Sequence, residues 1–225
     1  MARTATADTI ASDIYTKIRA EILTGSLVPG QHLKPGELRI RFGVSVSVVR
    51  EALSRLAEHR LVLAEHNQGF RVADLDAKDL KDLTAVRVQV ETFALRESIR
   101  LGDYDWESRV VATHHVLVRT PTRTEKDSEH TAEPWADAHR AFHRALIDAS
   151  DNAVLLDICH SLFDASELYR RLSAPLTTAN RDLAREHLEI MEAAMARDAD
   201  LAAARLASHF ELTTSLLLSR DEFKQ

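Results

Sequence analysis

The sequence predicts a mostly α-helical protein, with three helices and a short two-stranded hairpin leading into an all-α bundle. Three observations predict it. The 225 residues include six glycines and five prolines, about 5% of the chain against a usual share of roughly 12%, too few for an architecture of many tight turns. Apolar residues recur at helical spacing through most of the length. One stretch, 61–73, instead reads as two short extended runs around His66-Asn-Gln-Gly69, a hairpin signal with glycine available for positive φ.

Each element follows from local chemistry. Ile10, Ile14, Ile18 and Ile22 lie four apart and form one stripe of a helix over about 9–24, which Gly25 and Pro29-Gly30 end. A second helix fits Pro35–Phe42, with the proline early, where its missing N–H costs nothing. Gly43 breaks it. Ser45 caps a third helix whose inward positions are Val49, Leu53 and Leu56. Leu61–Glu65 and Phe70–Ala73 are the two strands. From Asp76 onward the pattern is helical: a long helix from about Leu80 to Gly102, then 105–119, 135–150, 153–172, 178–196 and 199–218. Thr120–Pro134 reads as a loop. The expected organisation is one domain over 1–74 and a second over 75–225. Three helices followed by a hairpin is the order of a winged helix-turn-helix, whose third helix enters the major groove of DNA.

Composition narrows the classes. Hydrophobic residues make up 45% and charged residues 28%, an ordinary globular balance rather than a disordered one. No apolar run exceeds four residues, so no membrane-spanning helix is expected. The N-terminus lacks the apolar core of a secretory signal. A single cysteine, Cys159, supports neither an internal disulfide nor a cysteine zinc motif. A cytoplasmic protein is the expectation. The net charge of −6 is uneven: residues 1–74 carry ten Lys+Arg against eight Asp+Glu, and Lys34–Arg71 carry seven against four. A basic face survives beside an acidic remainder because screening acts over about 8 Å.

Val44-Ser-Val-Ser-Val-Val-Arg-Glu-Ala-Leu-Ser-Arg-Leu56, followed by Leu61-Val62 and Gly69-Phe-Arg-Val72, resembles the DNA-reading domain of GntR-family bacterial transcription regulators. Asp79–Arg87 with Glu91, Phe142-His143 ahead of Asn152, Glu186-His187 and Ala203–His209 resemble the all-helical FCD effector domain of the FadR-like subfamily. The likeness runs from about residue 9 to 218. It implies a homodimer that reads operator DNA and answers to a small metabolite. The implied DNA contacts are Arg50, Lys34, Arg39, Ser45, Ser47, Arg55 and Gly69. His66 and Gln68, at the hairpin tip, are within reach of a minor groove. Two departures stand out: Gly36 and Val46 occupy positions where the family usually has a DNA-contacting arginine. Other cations can neutralise phosphates, but a valine does not replace a bidentate base contact.

Eleven histidines are present. His139 and His143 lie four apart on one helix face, close enough for one metal ion. His187 shares a stripe with Leu183, Met191 and Ala194, and His209 shares one with Leu206, Phe210 and Thr213. A buried imidazole needs a hydrogen-bond partner or a metal. The resemblance implies a metal site of Asp-x-x-x-His plus two later histidines; here His139 stands at the aspartate position. All-nitrogen ligation favours a divalent transition metal, zinc first and nickel second. Four neutral imidazoles leave the full +2 charge to attract an anionic effector; the alternative is that His139 does not ligate, which leaves three histidines and open positions. The resemblance also implies Arg87 as a carboxylate fork, against the simpler reading of an i, i+4 ion pair with Glu91. Asn152 is implied in effector binding, against the simpler reading of a helix cap. The expected function is therefore a transcription regulator, not an enzyme, controlled by a small carboxylate. The alternatives are a metal-dependent hydrolase using the histidines, for which no carboxylate is an obvious base because Glu186 points to another face than His187, and a purely structural or storage metal site.

Overall fold

The computed structural model describes residues 2–65, 69–123, 131–172 and 181–219. Among them the chain runs α1 (Ala2–Leu23), β1 (His32–Leu33), α2 (Pro35–Phe42), α3 (Val46–Glu58), β2 (Val62–Glu65), β3 (Gly69–Val72), α4 (Ala77–Leu101), α5 (Tyr104–Arg119), α6 (Glu133–Ile147), α7 (Ala153–Leu172), α8 (Leu183–Met195) and α9 (Ala199–Leu218). It divides into two compact units. One holds Met1–Asp76 with Asp164–Leu172, the other Ala77–Phe163 with Ser173–Gln225. The first unit thus takes Asp164–Leu172 from the stretch expected in the second domain.

The first unit packs α1 and α3 around a core of Ile14, Ile18, Ile22, Val49, Leu53, Leu56, Leu61 and Val72. Ile10, the first member of the expected stripe, is exposed. Pro35 opens α2, and Gly43 closes it in the left-handed region at φ 66°, where a Cβ would be strained. The Ser45 hydroxyl accepts from the Val48 N–H and caps α3. The sheet has three strands, not two, in the order β1-β3-β2, all antiparallel. The added strand pairs His32 with Arg71 and Leu33 with Phe70. Two residues are too few to show alternation, so periodicity alone did not reveal it. Gly69 enters β3 at φ 91°. His66 and Gln68 lie outside the described residues.

Among its described residues the second unit consists of helices joined by turns and loops, with no strand. Trp106 is fully buried and donates its indole N–H to the Ala145 carbonyl at 2.8 Å, which ties α5 to α6. Its core includes Leu95, Ile99, Val110, Phe142, Leu146, Cys159, Ile190, Leu206 and Phe210. Gly102 lies against the Trp106 ring so closely that a Cβ there would come within 2.3 Å of it. Arg197, itself at positive φ, donates to the carbonyls of Ile99 and Gly102. Among the described residues no helix is long and apolar enough to cross a membrane.

Candidate functional site

Three helices converge on the histidines. Helix α6 carries His139 and His143 one turn apart, α8 carries His187 and α9 carries His209. The first-turn Pro134 lets α6 begin at Glu133, two residues earlier than expected. All four rings are buried, 1–5% exposed. Ring centroids lie 4.4 Å apart for His139 and His143, 4.8 Å for His187 and His209, and 6.2 Å for the most distant pair, His139 and His209. Each residue offers one ligand atom, and those atoms all lie within 4.8 Å of one another. Trp135 stacks on His139 at 4.8 Å, and Phe142, Phe163 and Phe210 complete the surround. Asp137, two residues from His139, is exposed and stands apart from the cluster.

Glu186 joins the site through α9. It points toward His209, and its Oε2 lies 2.8 Å from His209 Nδ1. Arg181 donates through Nε and Nη2 to the two carboxylate oxygens at 2.7 and 2.6 Å. Burial pushes the Glu186 carboxyl up, but the hydrogen bonds from Arg181 and His209 outweigh it and hold it down at about 2. An ionised carboxylate can only accept, so His209 Nδ1 carries the proton and Nε2 is the nitrogen it can offer to a metal. The donor set therefore fits a divalent transition metal: four buried imidazoles, one with its tautomer fixed by a carboxylate. Neither Arg181 nor this role of Glu186 was read from the sequence. The partners come from adjoining helices, and no single-helix periodicity marks them.

Arg87 is buried on α4 and ion-paired with Glu91, Nε to Oε1 at 2.6 Å. Its guanidinium also lies 3.9 Å from the Phe210 ring centroid. This is the i, i+4 pair of the simpler reading, placed against the phenylalanines that surround the histidines. Asn152 is exposed and its Oδ1 accepts from the Leu155 N–H at 3.0 Å, capping α7. It lines a cavity of about 310 Å³ with Phe93, Glu97 and Arg100, in whose wall none of the four histidines appears. His187 instead lines a cavity of about 460 Å³ with Trp135 and Arg181.

In the first unit, Ser45, Val46, Ser47 and Arg50 are exposed along one end and face of α3. Arg39 is exposed on α2, as is Lys34, which pairs with Glu37 at 2.9 Å. Arg55 is half-buried, its guanidinium 4.8 Å from the Tyr15 ring centroid. Gly36 has no neighbour within 4 Å of a built Cβ, so that position opens onto solvent.

Residues 82–212 match the family model of the FCD domain, and residues 10–72 match that of bacterial regulatory proteins of the gntR family. The chain is a gntR-family regulator with an FCD domain. Relatives agree along nearly its whole length. The uncharacterized HTH-type transcriptional regulator BphR of Paraburkholderia xenovorans is 37% identical over 203 residues, 90% of this regulator and 83% of its own length. The HTH-type transcriptional repressor GlaR of Escherichia coli is 29% identical over 201 residues, 88% of this regulator and 90% of its own. The solved structure of E. coli McbR/YncC shares the fold, with a TM-score of 0.74 at 18% identity, covering 93% and 97% of the two chains. This regulator binds DNA and controls transcription. The family and these relatives are regulators, not enzymes, which removes the hydrolase alternative.

Proposed function

We propose that this regulator binds a two-fold symmetric operator as a homodimer, and that a small carboxylate held at a divalent transition metal on His139, His143, His187 and His209 sets its operator affinity. The observation carrying the proposal is the convergence of four buried imidazoles from three helices, with ligand atoms within 4.8 Å of one another. Zinc is the first choice and nickel the second, because nitrogen ligands suit them better than magnesium or calcium. When bound, the metal supplies a cationic centre whose charge the neutral imidazoles leave uncompensated, and so attracts a carboxylate. Glu186 fixes the His209 ring, and Trp135 with the three phenylalanines excludes water. Arg87 acts as a second anchor only if an incoming carboxylate competes with Glu91 for it; the buried ion pair makes this an exchange of partners.

On the operator side, Arg50 reads a base from the exposed face of α3. Ser45, Ser47, Lys34, Arg39, Arg55 and the backbone at Gly69 contact phosphates. Val46 and Gly36 leave two readout positions without an arginine. The operator therefore differs from one that needs those arginines. Selection of bound DNA from a random pool, with and without added carboxylates and with and without a chelator, tests the whole proposal. A symmetric consensus whose enrichment changes with carboxylate only in the metal-loaded protein is expected. Enrichment indifferent to both carboxylate and chelator would overturn the effector part. Arg50→Ala should weaken specific binding by about 1–3 kcal/mol and relax selection at one position per half-site.

A further inference from the structure

The cavity beside His187 holds a cationic group, one nitrogen of which the histidine site does not use. Arg181 lines it together with Leu117, Val118, Trp135, Leu183 and His187. The Arg181 side chain is 2% exposed. Its Nε and Nη2 serve Glu186, and Nη2 also donates to Thr213 at 2.9 Å. Nη1 is buried and, among the described residues, has no hydrogen-bond partner. A guanidinium presents five donors in a rigid fork, so two N–H groups here are withdrawn from water with nothing to receive them. Such orphans are uncommon in folded proteins because desolvation is not repaid, and each calls for an explanation. Asp182, the acidic neighbour in the cavity wall, is exposed and uses Oδ1 to accept from the Arg185 N–H at the cap of α8.

Charge arithmetic points the same way. Glu186 and Arg181 neutralise each other, as do Glu91 and Arg87. The four imidazoles bring no negative charge. A +2 ion among them is then balanced by a dianion and only half balanced by a monoanion. The cavity, about 460 Å³, lies at the small end of ligand sites. Its polar lining is His187, Arg181, Asp182, Thr120 and Thr122, beside an apolar wall that includes Trp135 and Leu183.

We propose that Arg181 is the specificity-determining residue of this cavity: its Nη1 donates to a second carboxylate of a ligand whose first carboxylate lies at the histidine cluster, so that the regulator selects diacids over monoacids. The inference rests on the carboxylate reading above and adds to it a residue and a ligand class.

The test is calorimetric titration of the full-length, zinc-loaded protein with succinate against butyrate and with glutarate against pentanoate, pairs that differ by one carboxylate in place of a methyl. The same titrations are run on Arg181→Gln and Arg181→Lys. Zinc content is measured in each variant, because Arg181 also supports the Glu186–His209 contact. At least one diacid should bind tenfold or more tightly than its monoacid. Compared per bound zinc, Arg181→Gln should cut that preference to within about twofold, and Arg181→Lys should restore part of it. A preference that is the same in the wild type and a zinc-retaining Arg181→Gln overturns the role of Arg181 alone. No binding of any acid to zinc-loaded wild type overturns the carboxylate reading and this inference with it. Loss of zinc from both variants overturns the specificity role and makes Arg181 a positioning residue for the histidines.

Discussion

At position 139 an imidazole stands where the family resemblance implies an aspartate, and the substitution changes charge more than shape. Four neutral ligands leave a bound divalent ion one unit more positive than a set containing a carboxylate. His139→Asp should therefore keep about one zinc per chain and weaken carboxylate binding, whereas His187→Ala should lose the metal. Elemental analysis after gel filtration, paired with calorimetry, checks both. Burial also perturbs a histidine outside the cluster. His114 is buried against Phe142, ring centroids 5.4 Å apart, and burial lowers its pKa from 6.5. Because the unfolded chain binds this proton more readily, the contribution is complete above pH 6.5 and is lost as the pH falls through 6.5 toward the lower folded value. His114→Phe should flatten the unfolding midpoint between pH 7 and pH 5 relative to wild type, as followed by circular dichroism. An equal acid slope in both proteins would assign that slope to other groups.

Element boundaries were legible wherever punctuation is local. Pro35, Gly43 and Ser45 mark the ends of α2 and the start of α3 within a residue because a fixed φ, a left-handed turn and a side-chain cap each act over one to three positions. Strand β1 was not legible: its partner, Arg71, is remote in sequence from His32, and pairing of that range leaves no local signature. The histidine set was half legible. Inward stripes reported that the rings are buried, but Glu186 reaches His209 across 23 positions, from α8 to α9. The turn between α4 and α5 shows a further limit. Gly102 looks like an ordinary helix stop, yet the Trp106 ring occupies the space a side chain would need. Gly102→Ala should destabilise the second unit by about 1–3 kcal/mol through overpacking, visible as a lower thermal midpoint. Gly36→Ala, with nothing within 4 Å of its Cβ, is the control expected to leave the midpoint nearly unchanged.

For the molecule as a whole, the acidic total hides a reading face whose cations are few. Beside the base-reading Arg50, the cations assigned to phosphates are Arg39, Lys34 with its exposed Glu37 partner, and the half-buried Arg55, while Arg41 is paired with Glu21. A monomer with so few phosphate contacts binds DNA weakly at cell salt. Two copies on a symmetric site double them. Sedimentation should show a dimer at micromolar concentration, and with about six phosphates neutralised operator affinity should fall about 10³-fold between 50 and 200 mM salt. A salt-independent affinity would rule out the phosphate contacts assigned here. Metal loading should also raise the thermal midpoint, by about 2.7 kcal/mol of stability at a hundredfold excess over the dissociation constant, and a chelator should reverse it.

Cys159, sealed in the core of the helical unit at 1% exposure, makes the protein its own reporter. Burial pushes the thiol up to about 12, with Glu91 adding to the rise and Arg87 opposing it. At pH 7 only about one molecule in 10⁵ then carries the reactive thiolate. A thiol dye added to the folded regulator should stay dark, and each labelling event should mark a molecule whose bundle has opened. The labelling rate, followed as metal and carboxylate are added, then measures how firmly the bundle is closed. No introduced probe is needed, since the sequence contains one cysteine. The same concealment keeps oxidants from the thiol while the protein is folded, so redox state is not read through Cys159.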